Sequence, residues 1–245
     1  MVDNNLRYSI KQILGSLIFR LFYSKYADYY LVSGIKSRQL LEFFGVPSSK
    51  IYYGYYGYSE EYFPNKISNN TFETEREKAF VFVGQKIHRK GIDVLIKSYL
   101  NYLSNGGEWK LKIIGSGNYK IPKIKNIIQY DFMQPREVSK LYQKNYAFIL
   151  PSRLEHWGTV VAEAAASGMI LLLSKRVGSH PDLLMPGING FLFDINNEME
   201  LVNLFFKIQS LDQNQLKIMS NKSREIASKF SEDSFAIAIN LILNS

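Results

Sequence analysis

Two glutamates stand eight residues apart around the predicted start of a helix, an arrangement that could do chemistry. Glu155 lies in a loop after the apolar strand Tyr146–Leu150, and Glu163 lies inside a helix rich in valine and alanine. Burying a carboxylate among such residues without a partner is costly, so the group either pairs or shifts its pKa. A strand, a tight turn and a helix N-terminus also favour an anionic ligand, because free N–H groups and the helix dipole point out of the first turn.

Each glutamate also has a simpler explanation. Glu155 is an acid near a helix N-terminus, where negative charge is favourable without any ligand. Glu163 could face solvent, since most glutamates in folded proteins are exposed. Neither explanation accounts for both acids together with Trp157 and Gly158 between them.

A second charged group follows another predicted strand. The turn that begins at Gly84 carries three basic residues at the start of the next predicted helix: His88, Arg89 and Lys90. The helix dipole opposes cations at this end, at a cost of roughly a few tenths of a kcal/mol per charge. The basic residues are therefore either a tolerated surface feature or a set of groups that faces an anionic ligand.

The elements that must position these residues alternate between strand and helix from Ala79 onward, a pattern that predicts an α/β domain with a doubly wound parallel sheet. Ligands of such sheets bind outside the carboxyl ends of the strands. The predicted strands are Phe80–Val83, Trp109–Ile114, Asn126–Tyr130, Tyr146–Leu150 and Met169–Leu173. The predicted helices are Lys90–Leu103, Pro135–Gln143, Trp157–Ser167, Glu198–Ser210 and Asn214–Lys229, followed by a last helix near the C-terminus.

Residues 1–66 predict a smaller α/β segment. Residues 1–27 carry a one-sided apolar stripe that predicts a helix, either packed on a domain or lying on a membrane surface beside its basic residues. The members of the stripe are Leu6, Ile10, Ile13, Leu14, Leu17, Ile18, Leu21 and Phe22. Residues 28–33, Ser37–Phe44 and Lys50–Tyr53 predict strand, helix and strand. The polar residues 66–78 predict a domain boundary.

The composition narrows the class of protein. The chain has 245 residues, 46% of them hydrophobic, a net charge of +8 and no cysteine, which excludes disulfides and fits a reducing compartment. No apolar run reaches the roughly 18 residues of a membrane-spanning helix, so a cytoplasmic location is expected, with the inner membrane face as an alternative. Nucleic acid is not expected as a partner, because the chain has no basic run of five residues and no nucleic-acid-binding signature.

The stretch P-S-R-L-E-H-W-G-T-V-V-A-E-A-A-A-S-G at residues 151–168 resembles a known signature. It is similar to the E-x7-E motif of retaining GT-B glycosyltransferases of family 4, the glycosyl transferases group 1. The pattern continues through residues 174–184 and 187–193, and His156 stands where proline is usual. The resemblance implies a Rossmann-like donor domain over residues 67–231, a remnant of the N-terminal acceptor domain and linker over residues 1–66, and a crossover helix over residues 232–245.

The resemblance also implies roles for the site residues. Glu155 would contact the donor sugar as the catalytic residue, and Glu163 would hold the ribose hydroxyls of the nucleotide. Lys90 would bind the donor diphosphate, while Gln85 stands where arginine is usual and Arg89 could compensate. Close contact between the main chain and the donor is implied for Gly84, Gly115, Gly117, Trp157, Gly158 and Thr159.

The chain contains no Asp-x-Asp pair of the kind that holds a sugar diphosphate through a metal. We therefore expect a metal-independent enzyme without a cofactor, whose substrate is a UDP- or GDP-linked sugar. The resemblance implies sugar transfer to a glycan or lipid-linked acceptor, as in surface polysaccharide synthesis.

Two alternatives stay open. One is a donor-binding half without activity that needs a partner chain to supply the N-terminal domain. The other is a module that binds membranes or nucleic acid by charge. In a remnant of an acceptor domain, the apolar stripe of residues 1–27 should be exposed.

Overall fold

The computed structural model describes residues 1–7, 9–65 and 76–244, so the predicted boundary at 66–78 lies outside the described residues except at its end. The strands are β1 Tyr30–Val32, β2 Ile51–Tyr53, β3 Glu77–Val83, β4 Lys110–Ile114, β5 Ile127–Tyr130, β6 Asn145–Leu150, β7 Ile170–Ser174 and β8 Gly190–Phe193. The α-helices are α1 Ile10–Ile18, α2 Ile35–Phe43, α3 Ile92–Ser104, α4 Pro135–Gln143, α5 Thr159–Ala166, α6 His180–Leu183, α7 Glu198–Gln209, α8 Gln213–Ala227 and α9 Asp233–Leu243.

Six parallel strands form the main sheet in the spatial order β5-β4-β3-β6-β7-β8, which confirms the predicted fold class. The strands β6 and β7 are buried along their whole length, as expected of a parallel sheet covered on both faces. From β3 the chain winds outward to β5, then returns to place β6 on the other side of β3. This reversal makes a switch point between the carboxyl ends of β3 and β6, where doubly wound sheets bind their ligands.

A smaller unit stands beside the main domain. Its strands β1 and β2 pair in parallel, and α9 returns from the end of the chain to pack on β2. This unit has a separate small core made by Tyr30, Val32, Leu41, Val46 and Ile51.

The chain crosses between the small unit and the main domain twice, and the two crossings are bonded to each other. The amide of Tyr58 donates to the carbonyl oxygen of Phe230 at 3.0 Å, and the amide of Glu232 donates to the carbonyl oxygen of Tyr58 at 2.9 Å. A Cβ on Gly57 would overlap the carbonyl oxygen of Ser231, so glycine is required for this close approach.

The predicted helix over residues 1–27 is wrong at its start. Residues 1–7 are not helical, and Val2 makes a parallel bridge with Val32, its amide donating to the carbonyl oxygen of Leu31 at 2.8 Å. The α-helix begins only after Ser9, whose hydroxyl caps it by accepting from the amide of Gln12 at 3.3 Å. After α1, residues 19–26 continue as a π-helical turn and a 3-10 turn.

The apolar stripe of α1 and the π-helical turn is exposed, as expected. Ile10 is 77% exposed, Leu14 57%, Leu17 54% and Leu21 71%. None of the helices in the described parts of the chain has the length and apolar character to cross a membrane.

Candidate functional site

The switch point brings together two residues predicted from the sequence. Lys90, in the turn after β3, forms an ion pair with Glu155, in the loop after β6. Both side chains are only 13% exposed. The hydroxyl of Ser152 also donates to the Glu155 carboxylate, at 3.4 Å. A carboxylate and an ammonium group thus lie side by side and largely out of water at the point where the fold places its ligand.

Glycine is needed where the two loops meet. Gly91 has φ of +72°, a left-handed conformation that favours glycine, and it is the N-cap residue of α3. A Cβ at this position would overlap the carbonyl oxygen of Pro151. The amide of Arg153 donates to the carbonyl oxygen of Arg89 at 2.9 Å, which fixes the two loops in register.

A second ion pair, which sequence reasoning missed, supports the same loops. The guanidinium of Arg153 donates two hydrogen bonds to the carboxylate of Asp93 on α3, at 2.7 and 2.8 Å, and one to the carbonyl oxygen of His88 at 2.8 Å. Burial raises the pKa of Asp93, but the hydrogen bonds and charge of Arg153 outweigh it and hold the pKa below its ordinary value. The sequence signal for this pair was Asp93, an acid in the first turn of a predicted helix.

The other two residues predicted to serve the diphosphate are exposed. Arg89 donates to the carbonyl oxygen of Leu154 at 3.1 Å. Gln85 has no side-chain hydrogen bond to any residue that the structure describes. The Arg89 guanidinium is thus bonded to the loop that carries Glu155. That Arg89 supplies the positive charge that Gln85 lacks stays a prediction.

Glu163 lies on α5, a helix whose N-cap is Gly158 with φ of +89°. Its carboxylate accepts no hydrogen bond from the described residues, and burial raises its pKa from 4.5 to about 7. The buried hydroxyl of Tyr142 on α4 is its electrostatic neighbour and also lacks a hydrogen-bond partner in the described part of the chain. A largely buried carboxylate without a donor is suited to accept hydrogen bonds from a ligand's hydroxyl groups.

We expect the Glu163 carboxylate to make stability depend on pH. Because its pKa is higher in the folded protein than in the unfolded chain, the folded state binds the proton more tightly, and stability falls as pH rises from about 4.5 to about 7. Glu163→Gln should therefore raise the free energy of unfolding at pH 8, on the order of 2 kcal/mol, and leave it almost unchanged near pH 4.5. Urea unfolding at both pH values measures this, and equal effects at the two would contradict it.

The residues between the two glutamates differ in their exposure to solvent. Trp157 is 2% exposed, lies against Gly34 of the small unit and has its ring 6.0 Å from that of Phe230. Thr159 is exposed at the first turn of α5. The Trp157 side chain thus joins the two units, and the predicted donor contacts of Trp157, Gly158 and Thr159 stay predictions for the main chain.

The predicted glycines after β3 and β4 pack against each other's loops. The amide of Gly84 donates to the carbonyl oxygen of Ile114 at 3.0 Å, and that of Lys86 to the carbonyl oxygen of Ser116 at 2.7 Å. A Cβ on Gly115 would overlap the carbonyl oxygen of Gly84, and one on Gly117 would lie 2.6 Å from that of Lys86. These glycines are required by packing, and their contact with a nucleotide stays a prediction.

The small unit contacts the main chain of Glu155, not its carboxylate. The Asn5 side-chain amide donates to the carbonyl oxygen of Glu155 at 3.2 Å, and Glu155 makes a parallel bridge with Val177. On α2, Lys36 Nζ donates to the carbonyl oxygens of Lys175 at 3.2 Å and Val177 at 3.0 Å. Sequence reasoning missed this junction between the small unit and the main domain, because Asn5 and Lys36 contact residues more than a hundred positions away in the chain.

Burial shifts the pKa values of three groups at the junction. It lowers the pKa of Lys36 to about 8, with further lowering by the charges of Arg176 and Arg7. It raises the pKa of Asp182 to about 7, although the carboxylate accepts from the amide of Ile35 at 3.2 Å. It lowers the pKa of His180 to about 4, so this imidazole is neutral at pH 7. No group of three or more metal-ligating His, Asp or Glu side chains occurs within residues 1–7, 9–65 and 76–244.

Comparison with known proteins relates this chain to a family. A family model described as glycosyl transferases group 1 matches residues 64–226. An uncharacterized 41.2 kDa protein in the cps region of Klebsiella pneumoniae is 25% identical over 171 residues, which cover 68% of this chain and 45% of that protein. Sulfoquinovosyl transferase SQD2 of Arabidopsis thaliana is 30% identical over 167 residues, which cover 64% of this chain and 31% of that protein. The chain spans about half the length, or less, of the curated relatives it matches.

Solved structures show the same fold. Anabaena HepE in complex with UDP has a TM-score of 0.77 at 16% identity, over 99% of this chain and 71% of that chain. The lipopolysaccharide outer core galactosyltransferase WaaB has a TM-score of 0.69 at 21% identity, over 88% and 61%. Because the family model matches more than half of the sequence, the chain belongs to the family of the glycosyl transferases group 1.

Proposed function

We propose that this chain is the donor-binding part of a retaining, metal-independent glycosyltransferase that uses a UDP- or GDP-linked sugar. The observation that carries the proposal is the largely buried pair of Lys90 and Glu155 at the switch point, with the unpartnered Glu163 on the helix that follows. Lys90 would neutralise the diphosphate, Glu163 would accept hydrogen bonds from the ribose hydroxyls, and Glu155 would contact the donor sugar.

The proposed reaction moves the sugar to an acceptor hydroxyl. The bond between the anomeric carbon and the diphosphate oxygen breaks, and a bond from that carbon to the acceptor oxygen forms on the same face of the sugar. The acceptor proton passes to the departing diphosphate. Negative charge grows on that diphosphate in the transition state, where the Lys90 ammonium and the free N–H groups at the start of α5 stabilise it.

Similar proteins support the choice of substrates. HepE was solved with UDP and with UDP-glucose, and the S. aureus TarM G117R mutant with UDP and α-GlcNAc-glycerol. We extend from these relatives a nucleotide sugar as donor and a glycan or lipid-linked molecule as acceptor. In this proposal the exposed face of α1 meets either a membrane surface or a partner chain that completes the acceptor domain.

A second candidate is a donor-binding half without activity of its own. One observation favours it: Gln85 offers no charge at the position where the resemblance to the family implies an arginine. The purified chain would then bind nucleotide but transfer sugar only when a polypeptide carrying the remaining acceptor domain is added. Transfer by the purified monomer alone would reject this candidate.

Nucleotide binding tests the main proposal. UDP or GDP at about 100 times its dissociation constant should stabilise the folded protein by roughly 2.7 kcal/mol, seen as a rise in thermal unfolding temperature that survives EDTA. Glu163→Gln should weaken the binding of free nucleotide, because a charge-assisted hydrogen bond is lost. Glu155→Gln is the matched comparison, and it should weaken binding of the nucleotide sugar more than that of the free nucleotide. Absence of any shift with either nucleotide would sink the proposal.

A further inference from the structure

We propose that the junction beside Glu155 binds an anionic, phosphate-class group of the acceptor. The site is a cationic cluster made of Arg7, Lys36 and Arg176, which we call the cationic junction. The identification of the ligand as acceptor rests on the proposed function. The existence of the anion site rests on the residues themselves.

The main chain brings the cluster together. Lys36 Nζ donates to the carbonyl oxygens of Lys175 and Val177, so it spans the two neighbours of Arg176. Arg7 lies two residues after Asn5, whose side chain donates to the carbonyl oxygen of Glu155. The charges of Arg176 and Arg7 lower the pKa of Lys36, and the charge of Asp182 raises it. Two guanidinium groups from separate segments therefore lie close enough to Lys36 for their charges to act on it.

The positive charge of the cluster is balanced only in part within the described chain. Arg7 and Arg176 are exposed, and neither guanidinium has a carboxylate partner among the residues the structure describes. The nearby acid is Asp182, which accepts a hydrogen bond from the main chain of Ile35 and whose burial favours its neutral form. His180 adds no charge at pH 7. Like charges held together repel each other, and a bound anion would relieve that repulsion.

Unsatisfied polar atoms gather at the same place. Among buried side-chain atoms without a hydrogen-bond partner in the described residues are Asn5 Oδ1, Trp157 Nε1 and Ser179 Oγ. These three residues are at most 6% exposed, and they meet where the amide of Ser179 donates to the carbonyl oxygen of Trp157. Buried polar groups in folded proteins nearly always have a partner. Trp157 Nε1 and Ser179 Oγ can donate to a phosphate oxygen, whereas Asn5 Oδ1 can only accept and would need a water molecule.

The cationic junction is separate from the donor diphosphate site. Lys90 meets Glu155 through its carboxylate, whereas Asn5 and Val177 meet the same residue through its main chain. A group held by Arg7 and Arg176 would thus approach the donor sugar from the small unit, which is the acceptor side in the proposed reaction. Phosphate suits the cluster because it offers several oxygens to two guanidinium groups and one ammonium group.

The test uses the whole chain saturated with UDP, so that the donor site is filled. Calorimetric titration with sn-glycerol 3-phosphate should show binding, and titration with uncharged glycerol should not. Arg176→Gln with Arg7→Gln should weaken the phosphate binding at least tenfold and leave UDP affinity within twofold. Lys140→Gln on α4 removes one positive charge at an exposed residue elsewhere, as Arg176→Gln alone does, and should alter neither affinity. Because both arginine side chains are exposed, Arg176→Gln alone is a second variant expected to fold.

A second experiment identifies the source of the phosphate by comparing binding to vesicles of phosphatidylglycerol, which are anionic, with binding to vesicles of phosphatidylcholine. Binding to the anionic vesicles that needs Arg176 and exceeds binding of soluble glycerol phosphate supports a lipid headgroup. Equal or stronger soluble binding supports a phosphate of a glycan or free molecule. Binding that ignores both arginines, or a loss of UDP affinity in Arg176→Gln, overturns the inference. Arginine-dependent phosphate binding by a protein that never binds UDP would instead overturn the proposed function alone.

Discussion

Gly91→Ala is expected to lower the free energy of unfolding by about 3 kcal/mol and to abolish detectable nucleotide binding. Two costs add at this position. A left-handed residue other than glycine costs roughly 1–3 kcal/mol, and the new methyl group would overlap the carbonyl oxygen of Pro151, which adds about 1–3 kcal/mol. Relief of the overlap requires the loops after β3 and β6 to separate, which would pull Lys90 away from Glu155. Urea unfolding and UDP titration measure the two effects.

Gly106→Ala is the matched control for this change. Gly106 has φ of +91°, yet no atom lies within 4 Å of the position where its Cβ would be. It should therefore show the backbone cost alone and leave nucleotide binding intact. Equal destabilisation by the two substitutions would mean that the close approach of Gly91 to Pro151 contributes nothing.

Lys90→Met should destabilise the protein by about 3 kcal/mol, because it leaves the Glu155 carboxylate largely buried without its cation. It should also weaken UDP binding by at least tenfold, since a hydrogen bond from a charged donor contributes roughly 1.5–3 kcal/mol. Chemical unfolding and calorimetric titration give the two quantities independently.

The double variant Lys90→Met with Glu155→Gln separates stability from binding. Removing both charges should restore most of the lost stability, because no unpaired buried charge remains. UDP affinity should stay low, because the cation that meets the diphosphate is still absent. Recovery of UDP affinity in the double variant would contradict the proposed role of Lys90.

The main sheet was largely predictable because its strands are buried on both faces and read as short apolar runs. The predicted bounds of α4 agree with the structure, and β3, β4 and β6 differ by a few residues at their ends. The short strand β8 was missed, since Gly187 and Gly190 read as loop and the strand is defined by pairing with β7. Residues 1–7 were misassigned for the same reason, because Val2 is held by a bond to β1 that no local pattern shows.

The site was predictable only as far as local motifs reach. Glu155, Glu163 and Lys90 stand in motifs that follow strands, so their placement at one edge of the sheet could be expected. The pairing of Arg153 with Asp93 and the contact of Lys36 with residues 175–177 depend on distant segments. The raised pKa of Glu163 also required knowledge of what surrounds α5, because burial causes it.

The bonded crossings at Tyr58 and Ser231 limit how the two units can move. Two segments joined side by side by backbone hydrogen bonds cannot slide past each other without breaking those bonds. Separation of the two units would also have to move Gly34 away from Trp157 and break the hydrogen bonds from Lys36 to residues 175–177. A pair of spectroscopic labels, one on each unit, would report such a separation as a change in distance.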